Sequence, residues 1–463
     1  MVLIKTILVT ALSLFSTNID AQLVEKKYSS FATDQKNLLR HLGSGPYVES
    51  ISFGISTDTP YQCTIDQAHL YMRHGERFPQ KSVGKTLNTF FNKLKNASKN
   101  MTEIIGPLSF IKDYTFFGDP NWYEQETWTG PYAGIGDIFE FGNILRQRYD
   151  HLVNTSKTLP IFTGGQKRVF DSAHEFAQGF TFNQYDQNYT MVVLPENQDS
   201  GVNSLANTNS CPNFDNSYEG PLVNMSLSYR KSEADRLNAL SPGFNITEDD
   251  ISDIMTYCGF EMNVRGESKF CDAVTQDTIV GFGYERDLYY FYSNGPGYNM
   301  SWVSGSAYAN ATATLLKDNN TEENLYFSFT HDTDITRLLT FLGLIDLDEE
   351  LPVDHVEFYK FYSATEVVPI GARFITERMN CYNATTNEDD TFIRILINEQ
   401  VIPIPDCSSG PGFSCPIDYF LSFIDSNILD FPTLCNMNSS TPQYVSFYWD
   451  WKSGKYPTDY TSI

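Results

Sequence analysis

The chain is short of positive charge. Its 32 Lys and Arg stand against 57 Asp and Glu, a formal net charge of −25. Such a surface repels nucleic acid and anionic membranes, so neither is expected as a partner. An anionic ligand would need a local positive pocket inside a negative shell. After residue 21 no stretch is apolar for long enough to span a bilayer. No Cys-x-x-Cys pair occurs, and no His, Asp and Glu residues fall at metal-ligand spacing, so no metal or other cofactor is expected. Internal repeats and low-complexity tracts are absent as well, which excludes solenoid folds. Histidine is scarce, with seven in 463 residues: His41, His69, His74, His151, His174, His331 and His355.

Residues 1–21 have the layout of a secretory signal. Lys5 precedes a mostly apolar run over residues 6–15, and Ala21 is the expected cleavage point. All eight cysteines follow it: Cys63, Cys211, Cys258, Cys271, Cys381, Cys407, Cys415 and Cys435. An even number in an oxidising compartment reads as four disulfides, whose pairing the spacing leaves open. Cys407 and Cys415 flank a turn-rich loop that could be clipped locally. Eleven Asn-x-Ser/Thr sequons, at Asn96, Asn100, Asn154, Asn188, Asn224, Asn245, Asn299, Asn310, Asn319, Asn383 and Asn438, point to N-linked glycans. The expected location is outside the cell, in the wall or in the periplasmic space. A homo-oligomer is compatible with the chain, and nothing in the sequence decides it.

Strand, polar loop and helix follow one another three times. Residues 67–72 read as a strand and 82–96 as a helix, with Leu87, Phe90, Phe91 and Leu94 on one face. Residues 159–163 and then 169–178 repeat the pattern, as do 325–329 and then 335–342. Each intervening loop carries Arg or His. This is the layout of an α/β fold with a mostly parallel open sheet flanked by helices, whose ligands sit at the carboxyl ends of strands. Between residues 183 and 320 Asn, Asp, Tyr and Ser dominate. Helical segments at 231–240 and 279–292 suggest a mainly helical cap domain inserted there. The α/β domain is then 22–182 plus 321–463. Strands at 372–377 and 391–398, the latter in a hairpin with 400–404, follow.

The first of the three loops reads Arg73-His74-Gly75-Glu76-Arg77-Phe78-Pro79. A guanidinium is a planar fork of donors that matches phosphate oxygens. Glycine lets the backbone approach a ligand. An imidazole between two arginines can attack phosphorus once the phosphate charge is neutralised. The third loop, Thr330-His331-Asp332-Thr333-Asp334, adds a histidine and a carboxylic acid. Of the other histidines, His41, His151, His174 and His355 read as surface or satisfied core residues, and His69 as packed inside its strand.

These motifs resemble those of the histidine acid phosphatases, the branch of the histidine phosphatase superfamily that includes fungal phytases, and most closely the secreted acid phosphatases of yeasts. Further matches are Pro369-Ile370-Gly371-Ala372-Arg373, the loop from Cys407 to Cys415, and the aromatic run Phe447-Tyr448-Trp449-Asp450-Trp451. The resemblance implies a phosphoglycerate mutase-like sheet and hydrolysis of small-molecule phosphate monoesters, of broad specificity, through a phosphohistidine. It implies His74 as the nucleophile and Asp332 as proton donor, with Arg73, Arg77, Arg168 and His331 binding phosphate. It also implies disulfides Cys63–Cys381, Cys211–Cys435, Cys258–Cys271 and Cys407–Cys415. Glu76 resembles the broad-specificity enzymes more than phytases. Lodged between two arginines, it is expected to temper the positive field at the pocket mouth. A phytase is the alternative and would need further basic residues around the pocket, Lys81 and Lys85 being candidates. A catalytically inactive surface glycoprotein is the third reading.

Overall fold

The computed structural model describes residues 37–50, 52–185, 187–318, 323–345, 350–358 and 362–460. The expected signal, residues 1–21, and the sequon at Asn319 lie outside them. The chain divides into two compact units, Met1–Leu39 and Arg40–Ile463, and the second carries the structure below.

Its centre is one eight-stranded sheet. The strands are β1 (Cys63–Arg73), β2 (Leu159–Gly164), β3 (Tyr189–Leu194), β4 (Leu325–Thr330), β5 (Arg373–Asn383), β6 (Glu388–Ile397), β7 (Gln400–Val401) and β8 (Cys415–Pro416). The order is β3-β2-β4-β1-β5-β6-β7, with β8 paired to β6. The first four are mutually parallel and the rest antiparallel. Strands β2 and β4 are buried along their whole length, as central parallel strands must be.

The helices that matter here are α1 (Lys81–Lys99), α2 (Gly134–Tyr149), α3 (Lys167–Phe180), α4 (Tyr229–Leu240), α5 (Glu248–Arg265), α6 (Gln276–Asn294), α7 (Asn299–Lys317) and α8 (Asp332–Phe341). The two-residue period of β1 sends Leu70 and Met72 to one face of the sheet and Tyr71 to the other. The first face is covered by α2 and α3, whose apolar stripe carries Val169, Ala173, Phe176 and Phe180. The Phe176 and Phe180 rings meet Phe327 at 5.0 and 4.8 Å. On the second face Tyr71 packs with Phe162, Tyr326 and residues of α6, α7 and α8. Phe447 and Tyr448, from the C-terminal aromatic run, seal that face against Phe162. His69 stacks within the sheet on Tyr326.

Two elements differ from the sequence reading. The stretch assigned to the helical cap contains β3, which pairs residue for residue with β2. Its short apolar run, Met-Val-Val-Leu, is hidden in sequence by the polar residues around it. Strands β5 and β6 also run further than expected, because Glu388, Asp389 and Asp390 stay in the ladder opposite residues 381–383. Pairing overrides their low strand propensity at this exposed end. All four disulfides implied by the resemblance are present. No helix among the described residues is long and apolar enough to cross a membrane.

Helices α2 and α3 approach closely because each contributes a glycine to the crossing. A Cβ on Gly179 would lie 2.1 Å from the Phe139 carbonyl oxygen, and one on Gly142 would lie 2.4 Å from that of Phe176. Gly136, one turn into α2, has nothing nearer than 4.0 Å. Gly179→Ala is therefore expected to destabilise the protein by about 1–3 kcal/mol through overpacking. Gly136→Ala is expected to stabilise it by roughly 0.5–1 kcal/mol through chain entropy and helix propensity. Chemical unfolding of the two variants checks both signs.

Candidate active site

Adjacent parallel strands bring the expected residues together. In the register of β1 with β4, Arg73 lies opposite Thr330, so His74 and His331 begin neighbouring loops at the same end of the sheet. On the other side of β4, Thr163 of β2 lies opposite Phe329, and the β2 loop runs into α3 with Arg168 near its first turn. One strand further out, β3 ends at Leu194 and is followed by Glu196. Four carboxyl ends therefore feed one pocket of about 260 Å³, lined by His74, Arg77, Arg168, Glu196, His331 and Asp332. A second lobe of about 530 Å³ adjoins it, where Arg73, Arg77 and Asp332 meet Phe260 of α5 and Arg286 and Tyr290 of α6.

His74 is almost fully buried. Its Nδ1 lies 3.0 Å from the Gly75 carbonyl, which can only accept, so Nδ1 carries the proton and Nε2 the lone pair. Arg77 Nε points at that lone pair from 3.5 Å. Burial, then the guanidiniums of Arg77, Arg168 and Arg73, hold the imidazole well below the usual histidine range. It is therefore neutral at acidic pH. Arg73 donates to the Val368 carbonyl at 2.6 Å and pairs with Asp332 Oδ2 at 2.7 Å. The buried Nε atoms of Arg73 and Arg168 have no acceptor in the protein.

Asp332 opens α8, and its Oδ1 accepts from the Thr333 amide at 2.9 Å. Burial alone would raise its pKa. Arg73, a hydrogen bond from Tyr290 at 2.5 Å, His331 and Arg286 outweigh it and hold the carboxyl well below the usual carboxylate range. His331 caps the same helix, its ring 6.5 Å from that of His74. Both oxygens of Glu196 lie 3.0 Å from His331 Nε2. Burial would raise the Glu196 pKa, but His331, Gln166 and Arg168 together lower it.

Glu196, Tyr290 and Arg286 went unseen in the sequence. The only signal for Glu196 is an acidic residue just after a short apolar run. Tyr290 and Arg286 sit in a helix with no motif of its own, and Tyr290 meets Asp332 42 residues further along the chain.

Glu76 is not at the pocket mouth. It is buried behind the loop, where its carboxylate accepts from the Tyr47 amide at 2.7 Å. The chain turns there because the loop rests on the start of α2, where a Cβ on Gly134 would lie 2.2 Å from the Glu76 carbonyl oxygen. Burial and the nearby Asp137 raise its pKa, so at acidic pH it is uncharged and adds no field to the pocket.

Glu126 lies behind the loop too. Gly75 donates its amide to Glu126 Oε1 at 2.8 Å and to Ser172 Oγ at 2.9 Å, and Ser172 also bonds Glu126. Burial pushes the Glu126 carboxyl up to about 8, and its hydrogen bonds from Ser172 and Gly75 offset only part of that. A raised folded-state pKa stabilises the fold fully below the unfolded value, about 4.3, and this stabilisation is lost as pH rises towards 8. Glu126→Gln, a neutral isostere, is expected to flatten the fall of unfolding free energy over that window. Denaturant titrations at several pH values measure it.

Comparison with known proteins agrees with this geometry. The family model described as histidine phosphatase superfamily (branch 2) matches residues 64–398. Acid phosphatase PHO1 of Komagataella pastoris is 44% identical over 92% of both chains. Phytase PHO112 of Candida albicans is 38% identical, again over 92% of both. The crystal structure of the phytase from D. castellii superposes with a TM-score of 0.86 at 36% identity, covering 92% of this chain and 93% of that one. The matched region runs from the first residues of β1 to the end of β6 and includes both histidine loops, and the chain belongs to branch 2 of the histidine phosphatase superfamily.

Proposed function

We propose that this protein is an acid phosphatase that hydrolyses phosphate monoesters through a phosphohistidine on His74 Nε2. The observation that carries the reading is a neutral imidazole whose bare nitrogen is ringed by Arg73, Arg77 and Arg168. A phosphoryl group resists nucleophiles because it is anionic, and preorganised guanidiniums offset that charge. Its oxygens would also satisfy the buried Nε atoms of Arg73 and Arg168. His331, with Nε2 turned to Glu196, has Nδ1 left for a phosphate oxygen. The N-terminus of α3 adds backbone donors and a favourable dipole.

His74 Nε2 then displaces the leaving alkoxide in line. Asp332 protonates the leaving oxygen and afterwards takes a proton from the water that hydrolyses the phosphohistidine. His74 needs no rise in pH to lose a proton, which suits work in acid.

A phytase reading is supported by the names of two relatives. Against a preference for a hexakisphosphate, Lys81 is 70% exposed and lies against Glu124, and Lys85 lines a separate groove with Lys93 and Asp250. Neither lines the two lobes at His74. A single phosphate is served by the arginine cluster, whereas a ring bearing six gains little beyond it. Glu76, buried behind the loop, does not bear on this preference. Secretion and glycosylation belong to the same reading. Among the ten described sequon asparagines nine are exposed and Asn383 is half-buried, so each is open to a glycan.

His74→Ala is expected to abolish turnover while leaving the fold intact. Rapid acid-free quenching of wild type should trap a base-stable, acid-labile phosphoryl adduct at His74; label on serine or aspartate would sink the assignment. Asp332→Asn is expected to cost about 10²–10⁴-fold on alkyl phosphates and far less on a nitrophenyl phosphate, whose leaving group scarcely needs a proton. Equal losses on both would move the acid elsewhere.

A further inference from the structure

Asp332 is met by three donors in the resting site, which favours its ionised form. An ionised carboxylate offers about four lone-pair sites. Oδ2 accepts from Arg73 Nη2 at 2.7 Å and from Tyr290 Oη at 2.5 Å, and Oδ1 accepts from the Thr333 amide at 2.9 Å. Tyr290 is buried in α6, and Arg286, one turn earlier, donates to its hydroxyl oxygen at 3.4 Å. That leaves the hydroxyl proton for Asp332. The other charged or titratable groups facing the site are His74 and Arg77 from the first loop, Arg168 from α3, Glu196 after β3, Tyr289 from α6, and His331, Asp334 and Arg337 beside Asp332 itself. No hydrogen bond joins any of them to the Asp332 carboxylate, whose partners are Arg73, Tyr290 and Thr333.

We propose that Tyr290 is a positioning residue for the phosphatase reaction: with Arg73 and Thr333 it keeps Asp332 an acceptor until substrate arrives, and the proton Asp332 gives to the leaving oxygen is brought in by the monoanionic ester. It rests on the assignment of Asp332 as general acid. A phosphate monoester loses its second proton near pH ~6, so in acid it enters as the monoanion. Among three arginines the dianion is favoured. The ester P–OH therefore gives its proton to Asp332 as a phosphate oxygen takes Arg73 over. The N–P bond to His74 then forms as the P–O bond to the alcohol breaks, and the Asp332 proton leaves with the alcohol. Water next adds its oxygen to phosphorus, the N–P bond breaks, and one water proton returns to Asp332. Asp332 hands that proton to the departing phosphate, which leaves as the monoanion. Protons and charge balance over the cycle, and Tyr290 holds Oδ2 throughout.

The test is the pH profile of kcat/KM for an alkyl phosphate and an aryl phosphate, whose second ionisations differ, in wild type and Tyr290→Phe. In wild type the alkaline limb should move with the ester, the aryl ester failing at the lower pH. If instead the acid limb moves with the ester and the alkaline limb stays fixed, Asp332 carries its own proton and the proposal is overturned. Tyr290→Phe should lower kcat on the alkyl ester by about ten- to a hundredfold, much less on the aryl ester, with inhibition by inorganic phosphate unchanged. An equal loss on both esters, or none, removes Tyr290 from the mechanism. Asp332→Asn measured alongside separates the two layers: full activity of that variant on the alkyl ester means the general-acid assignment itself has failed.

Discussion

Three guanidiniums are held around one imidazole, mostly out of water, and their repulsion governs what surrounds them. Each must be balanced nearby or the fold would bear an uncompensated buried charge. Asp332 meets Arg73 at 2.7 Å, and Glu196 meets His331 at 3.0 Å. Both carboxylates stay ionised because of those neighbours, although burial acts against it. Behind the loop the opposite holds. Glu76 and Glu126 have no guanidinium in hydrogen-bond contact, and burial keeps them protonated. The pocket thus remains electropositive inside a chain of net charge −25.

That balance also settles the division of labour within the site. The same arginines that would bind phosphate keep His74 neutral, so its imidazole has a free lone pair at a pH where a free histidine would be charged. They also draw Asp332 into its ionised form, which a general acid must leave before it can act. Arrival of an anion resolves this conflict, because phosphate oxygens compete for Arg73.

The fold makes such a cluster possible by geometry. Parallel strands all point their carboxyl ends the same way, so loops far apart in sequence open onto one edge. The register Arg73 opposite Thr330 decides that His74 and Asp332 are neighbours. The tight seat of the first loop on α2, with no room for a Cβ at Gly75 or Gly134, keeps the imidazole pointed outward. Helix α6 closes the other side and supplies Tyr290 and Arg286.

Strand–loop–helix order, the three arginines, both histidines of the site and Asp332 were legible in the sequence, because each lies in a contiguous motif whose chemistry needs those residue types side by side. The core face of α1 was legible too, since the apolar period of a helix is a local property. Where a side chain points was not. Glu76 sits between two site arginines in sequence, yet the backbone turns it away, and only packing against α2 decides that. Glu196, Tyr290 and Arg286 carry no motif, because their role comes from segments that meet only in the fold: Glu196 meets His331 across 135 residues and Tyr290 meets Asp332 across 42. Strand β3 was hidden because its run of strand-favouring residues is short and set among polar ones, and only pairing with β2 makes its place evident. The residue types that can do the chemistry are thus written locally. Their charges, their orientation and their partners depend on burial and on contacts between distant segments, and these exist only in the folded chain.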